Sequence, residues 1–88
     1  MNKIKRTKLK TANYKISMAI EMLKESQSEI EDVQMDEEFD FDNLPEGFQE
    51  GIRGSNMQDA IDEMDDSTSE IESIIKKLEE IKNNLAIL

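Results

Sequence analysis

The sequence predicts an all-α protein: an antiparallel two-helix hairpin of coiled-coil type that dimerises into a four-helix bundle. Apolar residues recur at heptad spacing in two separate stretches, and no stretch alternates polar and apolar residues as a half-buried strand does. The single Pro and all three Gly lie between these stretches, where they indicate a turn. A chain of 88 residues forms one domain at most, and such small domains are often stabilised by self-association.

The two heptad stretches predict helices over residues 3–34 and 55–86. Ser55 and Gln58 form a capping-box pattern, which is typical of a helix start. The predicted seam has the a positions Leu9, Ile16, Leu23 and Ile30 and the d positions Ala12, Ala19, Ser26 and Val33 on the first helix, and the a positions Met57, Met64, Ile71, Leu78 and Leu85 and the d positions Ala60, Ser67, Ile74, Ile81 and Leu88 on the second.

Helices of nearly equal length predict an antiparallel rod about 48 Å long at 1.5 Å rise per residue. Pairing the a and d columns sets Leu23 near Ser67. At that level a polar layer of Ser26, Gln27, Ser67 and Thr68 interrupts the seam, either as a tolerated defect, which we favour, or as a marker of register. The e positions Ile20, Ile61 and Ile75 widen the apolar stripe on each helix.

Residues 36–54 are predicted to form an acidic loop between the helices. All three Phe residues of the chain lie in this segment. Together with Leu44 and Ile52 they are expected to close the end of the hairpin as a small core. The alternative is a docking segment in which aromatic anchors stand inside an acidic rim.

The residue types exclude several kinds of site. The chain has no Cys and no His, which removes thiolate metal sites, disulfides and the commonest general base. Asp40 and Asp42 begin a D-x-D pattern, but Pro45 and Gly51 stand where a calcium loop needs Gly and Glu. We therefore expect no enzyme activity, catalytic residue, cofactor or metal. With no membrane-length apolar run and no signal-peptide core, a cytoplasmic protein is expected.

Charge is strongly segregated along the chain. Residues 1–24 hold seven basic and one acidic side chain, residues 25–75 hold eighteen acidic side chains and only Arg53, and residues 76–88 hold three basic and two acidic ones. In an antiparallel hairpin, residues 25–75 would form one acidic half of the rod. The acids could be a solvated face, could face the basic end of a second copy in an antiparallel dimer, or could imitate nucleic-acid phosphates inside a basic groove.

Two surfaces are predicted to make contacts. Tyr14, Met18 and Met22 follow each other at i, i+4 and i+8 outside the predicted seam and, with Ile20, are expected to contact a second copy. Direct binding to nucleic acid is not expected, because a net charge of −10 repels it. The predicted surface for a protein partner is Glu29, Asp32, Asp36, Glu37, Glu38, Phe39, Phe41, Asp62, Asp65 and Asp66, with the two Phe residues as anchors.

The central segment matches the pattern N-[LM]-P-E-x-[LF]-Q-x-S-x-R-[GY] at Asn43, Leu44, Pro45, Glu46, Phe48, Gln49, Arg53 and Gly54. Over residues 43–81 the chain resembles small acidic helical proteins, mostly of unassigned activity, from Gram-positive bacteria, their phages and other mobile elements. Gly51 stands where that group tends to have Ser, and the second helix here has fewer Ala, so a different helix packing is expected.

The resemblance implies a source, the cytoplasm of a bacterial host, rather than an activity. Small phage proteins often block host defences, so the resemblance favours an inhibitor that uses its acidic half against a nucleic-acid-handling host protein. The alternative is a structural or regulatory helical accessory protein that assembles through its apolar faces.

Overall fold

The computed structural model covers residues 1–88 and contains three helices, α1 (Lys3–Asp42), α2 (Glu46–Gln49) and α3 (Ile52–Ala86). There is no strand, which confirms the all-α prediction. The two long helices lie side by side in a rod measuring 68 × 14 × 14 Å. The rod is longer than predicted because α1 and α3 both extend into the segment that was expected to be a loop.

Two cross-helix hydrogen bonds define an antiparallel register. The Asn13 side-chain amide donates to the carbonyl oxygen of Lys82 at 3.1 Å, and the Gln27 side-chain amide donates to the carbonyl oxygen of Thr68 at 3.2 Å. Residue numbers thus rise along α1 while they fall along α3. The predicted register, which set Leu23 near Ser67, is wrong by about five residues, or roughly 7 Å along the rod.

The seam between α1 and α3 consists of the predicted a column and the e column, not of a and d. Every residue at these positions from Leu9 to Phe41 and from Gly54 to Leu85 is buried or half-buried. The three buried apolar residues are the e residues Ile20, Ile61 and Ile75, which are 4%, 7% and 2% exposed. The predicted d residues that are exposed instead are Ala12, Ala19 and Val33 of α1, Ala60, Ile74 and Ile81 of α3, and Leu88 beyond the end of α3.

This correction has a physical reason. A helix in a two-helix pair presents only two columns to its partner, spaced alternately three and four residues apart. The a and e columns have this spacing just as the a and d columns do. Because the apolar stripe is three columns wide, one column must face away from the seam.

The polar layer in the seam is hydrogen-bonded rather than merely tolerated. Gln27 donates a second bond, of 3.0 Å, to the carboxylate of Glu72. Thr68 is 7% exposed, and its hydroxyl donates to the carbonyl oxygen of Asp65 at 3.0 Å. Sliding the helices by one turn would break the Gln27 bonds, so the layer marks the register, contrary to the interpretation favoured from the sequence.

The acidic segment of residues 36–54 is mostly helical, so its prediction as a loop is wrong. α1 continues past residue 34 to Asp42 because Phe41 adds another half-buried residue to the seam. Pro45 then prevents a continuous helix, since the residue before a Pro avoids helical geometry. α3 begins at Ile52, three residues before the predicted start, and the Ser55 and Gln58 pair therefore lies inside the helix rather than capping it.

The tip of the hairpin is closed by side-chain bonds to the end of α1. The Gln49 amide donates to the carbonyl oxygens of Phe41 and Leu44 at 3.1 and 3.3 Å, and the Asn43 amide donates to the carbonyl oxygen of Phe39 at 2.7 Å. The carbonyl oxygens of Phe39 and Phe41 also accept the backbone N–H groups of Asn43 and Leu44, so the side-chain bonds add a second donor to each at the end of α1. The central segment therefore has a structural role in this chain.

Gly54 allows α3 to approach the short helix α2. It is buried, and a Cβ at this position would overlap the carbonyl group of Gln49. We expect Gly54→Ala to lower the free energy of unfolding by about 1–3 kcal/mol, because the tip must open to admit the methyl group. Urea unfolding followed by circular dichroism measures this change.

The control is Gly47→Ala in the neighbouring short helix α2. Apart from its chain neighbours and the backbone of its own helix, no atom would lie within 4 Å of a Cβ at Gly47, and its φ is not positive. This substitution should leave stability unchanged or raise it by up to about 1 kcal/mol. Equal destabilisation by both substitutions would contradict the close approach at Gly54.

Candidate protein-binding surfaces

The rod offers grooves rather than an enclosed pocket. The most enclosed cavity lies at the terminal end, is lined by residues that include Leu9, Asn13 and Leu85, and has a volume of about 80 Å³. Pockets for small molecules usually have about 300–1,000 Å³. No group of three or more acidic side chains is placed to hold a metal ion. No helix is both long enough and apolar enough to cross a membrane.

The acidic half carries its charge without internal neutralisation. The two ion pairs of the protein join Lys24 to Glu21 and to Glu79, both at 3.9 Å. None of the eighteen acidic side chains of residues 25–75 takes part in an ion pair. They are spread over about half of the 68 Å rod, which is roughly one carboxylate per 2 Å. Double-stranded DNA carries one charge per about 1.7 Å of axis, so the two linear charge densities are similar.

Eight of the ten predicted partner-binding residues are exposed, namely Glu29, Asp32, Asp36, Glu38, Phe39, Asp62, Asp65 and Asp66. They lie on several sides of the rod, because their helical positions differ. Glu37 and Phe41 are half-buried in the seam. Phe41 packs partly between the helices, so Phe39 is the more accessible of the two predicted anchors, and the role of Phe41 stays a prediction.

The predicted aromatic core at the tip does not form as expected. Phe39 and Phe48 are 68% and 60% exposed, and Ile52 is 82% exposed. Only Phe41 and Leu44 are half-buried. Phe39 thus remains an apolar side chain that stands among acidic residues on α1, as the docking alternative requires.

The predicted dimer residues separate into two groups. Tyr14, Met18 and Met22 are exposed and, with neighbouring polar side chains, line a shallow groove on the outside of α1. Ile20 is only 4% exposed and packs in the seam. Its prediction as a dimer contact is wrong, because the register turns the e column toward α3.

The predicted d residues form a further apolar surface, which we call the flank face. A two-fold axis normal to the pair relates two antiparallel helices, so equivalent heptad positions project to the same side of the pair. Lys24 and Glu79 illustrate this on the opposite side, where each follows a seam residue by one position. The flank face consists of Ala12, Ala19, Ser26 and Val33 of α1, of Ala60, Ser67, Ile74 and Ile81 of α3, and of Leu88, which follows the end of α3.

Sequence reasoning missed the flank face because it assigned these residues to the hairpin's own seam. The available signal was the width of the apolar stripe. Three apolar columns are typical of a helix in a bundle of more than two helices, whereas two columns suffice for a pair.

No protein-family model, curated protein or solved structure matches this chain.

The two Phe residues on α1 provide a matched test of the seam. We expect Phe41→Ala to lower the free energy of unfolding by about 1–3 kcal/mol, because it removes part of the packing between α1 and α3. Phe39→Ala should change it by no more than about 0.5 kcal/mol, because that ring is mostly in water. Urea unfolding measures both, and a larger loss for Phe39→Ala would contradict the assignment of the seam.

Proposed function

We propose that this protein is a non-enzymatic binding module whose acidic half occupies the basic, nucleic-acid-binding surface of another protein. The observation that carries the proposal is the set of eighteen carboxylates without ion pairs, arranged at nearly the linear charge density of DNA. A groove lined by Lys and Arg to hold phosphates also attracts a rod of carboxylates.

Rigidity of the helices supports this mode of binding. Most of the acidic side chains stand on α1 and α3, so their backbone positions are fixed before a partner arrives. A preordered surface loses less conformational entropy on binding than a flexible acidic tail does. Phe39 would supply an apolar anchor within the charged surface.

The source implied by the resemblance of residues 43–81 adds a biological setting. We propose that the protein acts in the cytoplasm of a Gram-positive host, where a phage or mobile element would use it to block a nucleic-acid-handling defence protein. Blocking requires only occupation of the basic groove, so the proposal needs neither a catalytic residue nor a cofactor.

Self-association into a four-helix bundle is also proposed. A compact chain of 10.2 kDa has an accessible surface of about 5,300 Å² by the usual scaling. This hairpin exposes 6890 Å² and buries only three apolar side chains. A second hairpin would cover apolar surface that the pair of helices leaves in water.

A structural or regulatory accessory protein is the second candidate, and the exposed flank face favours it. Contacts of that kind would depend on apolar side chains and would persist as salt rises. Contacts made by the acidic half would weaken as salt rises, because salt screens exposed charges.

The proposal is tested by reversing four exposed acids of the acidic half, Asp32, Glu38, Asp62 and Asp65, to Lys in a tagged protein. The wild type should capture a nucleic-acid-binding protein from a Gram-positive lysate and release it when duplex DNA or higher salt is added. The variant should capture at least about tenfold less, because each reversal replaces attraction by repulsion.

The matched control reverses the same number of charges at the basic end, at Lys3, Arg6, Lys10 and Lys76. This variant should retain binding, because these residues lie outside the acidic half. Capture that survives both salt and duplex DNA, or that the four acidic reversals leave unchanged, would overturn the proposal in favour of the accessory protein.

A further inference from the structure

We infer that a second copy of this chain packs on the flank face in the antiparallel direction, with a two-fold axis crossing the rod near Met22 and Ile74. The inference rests on the proposed self-association and assigns its surface and its direction. The inferred contact is the flank face instead of the outer groove of Tyr14 and Met18. Met22 lies beside the flank face, at the level of the axis.

The flank face has the extent and chemistry of a dimer contact. It runs along both long helices, and its larger side chains Val33, Ile74 and Ile81 are 57%, 47% and 46% exposed. The hairpin exposes about 1,600 Å² more than a compact chain of its mass. A standard stable interface covers about 800 Å² on each partner, so the excess is sufficient for one.

Charge complementarity along α1 selects the antiparallel direction. Lys8, Lys15, Met22, Glu29 and Asp36 recur every seven residues beside the flank face, and we call them the rim column. Two basic residues precede Met22 and two acidic residues follow it at the same distances. With the axis at Met22, Lys15 stands opposite the partner's Glu29, and Lys8 stands opposite the partner's Asp36. A parallel dimer would lay each acidic half against the other.

The same axis serves α3. The equivalent column there has Glu63 and Glu70 before Ile74 and Lys77 after it, so Lys77 stands opposite the partner's Glu70. The cross-helix bonds of Asn13 and Gln27 place Met22 level with residues 73–74 of α3. One axis therefore pairs opposite charges on both helices and brings Ile74 next to its own copy.

These charges have no partner within one hairpin. Lys15 and Glu29 are fourteen positions apart on one straight helix, which separates them by about 21 Å. Neither forms an ion pair in the hairpin, and neither do Lys8 and Asp36. A contact between Lys15 and Glu29 thus requires two copies of the chain.

The surface is tested by Ile74→Glu, with Met18→Glu as its matched control. Both side chains are 47% exposed, but Met18 lies on the outside of α1. Sedimentation equilibrium at tens of micromolar should give twice the 10.2 kDa chain mass for the wild type and for Met18→Glu. Ile74→Glu should give the single-chain mass with unchanged helical circular dichroism, and Ile81→Glu should do the same.

The outcomes separate this inference from the proposals on which it rests. A wild type of single-chain mass would refute self-association, and the inference with it. A dimeric wild type whose mass Ile74→Glu and Ile81→Glu leave unchanged, or that Met18→Glu dissociates, would overturn the flank face alone. Capture of a partner by the acidic half is tested on Asp32, Glu38, Asp62 and Asp65, none of which belongs to the flank face or the rim column.

The direction is tested by exchanging charges in the rim column. Lys8→Glu with Lys15→Glu should weaken the dimer at least ~10-fold, and so should Glu29→Lys with Asp36→Lys, although the second pair lowers the net negative charge. All four substitutions in one chain should restore dimerisation, because opposite charges again meet across the axis. Failure to restore it, or a tighter dimer after the second pair alone, would overturn the antiparallel arrangement.

Discussion

The hydrogen bonds that Gln27 makes in the seam between α1 and α3 determine which residues lie on the outer surface of the rod. Its amide joins the backbone of Thr68 and the carboxylate of Glu72, and Asn13 makes a similar bond to Lys82 near the termini. Three buried isoleucines leave helix sliding weakly opposed, since apolar contact is not directional. Hydrogen bonds to one backbone position are directional. They fix which columns meet and therefore which residues remain outside.

The heptad pattern was sufficient to predict the two long helices, but it was insufficient to predict which heptad columns form the seam between them. Two heptad stretches separated by Pro and Gly predicted two long helices, and these are present. The pattern favoured Ala12 and Val33 over their neighbours Asn13 and Gln34, because Ala and Val are the more apolar. The structure places the polar neighbours in the seam, where Asn13 finds a backbone acceptor across the pair. Whether a polar side chain finds an acceptor across the seam depends on the register of the two helices, and the sequence of one helix does not specify that register.

The exposed acids were predictable for a simpler reason. Positions off both apolar columns face water in almost any register, and Asp32, Asp62 and Asp65 are of this kind. Glu37 and Phe41 differ, because their burial depends on the continuation of α1 to Asp42. Side-chain bonds from Gln49 and Asn43 then close the tip against the end of α1, and compositional rules for loops do not include such bonds.

The absence of ion pairs in residues 25–75 gives this protein two opposed responses to ionic strength. Crowding eighteen carboxylates on one half of a rod opposes folding, and dissolved salt relieves that repulsion within a Debye length of about 8–10 Å. The same screening removes the attraction that would hold a basic partner. Low salt therefore destabilises the fold but strengthens the attraction to a basic partner, and high salt does the reverse. The fraction of the protein that is both folded and bound should therefore be largest at intermediate salt, because the charge of the acidic half opposes folding below that range and loses its attraction above it.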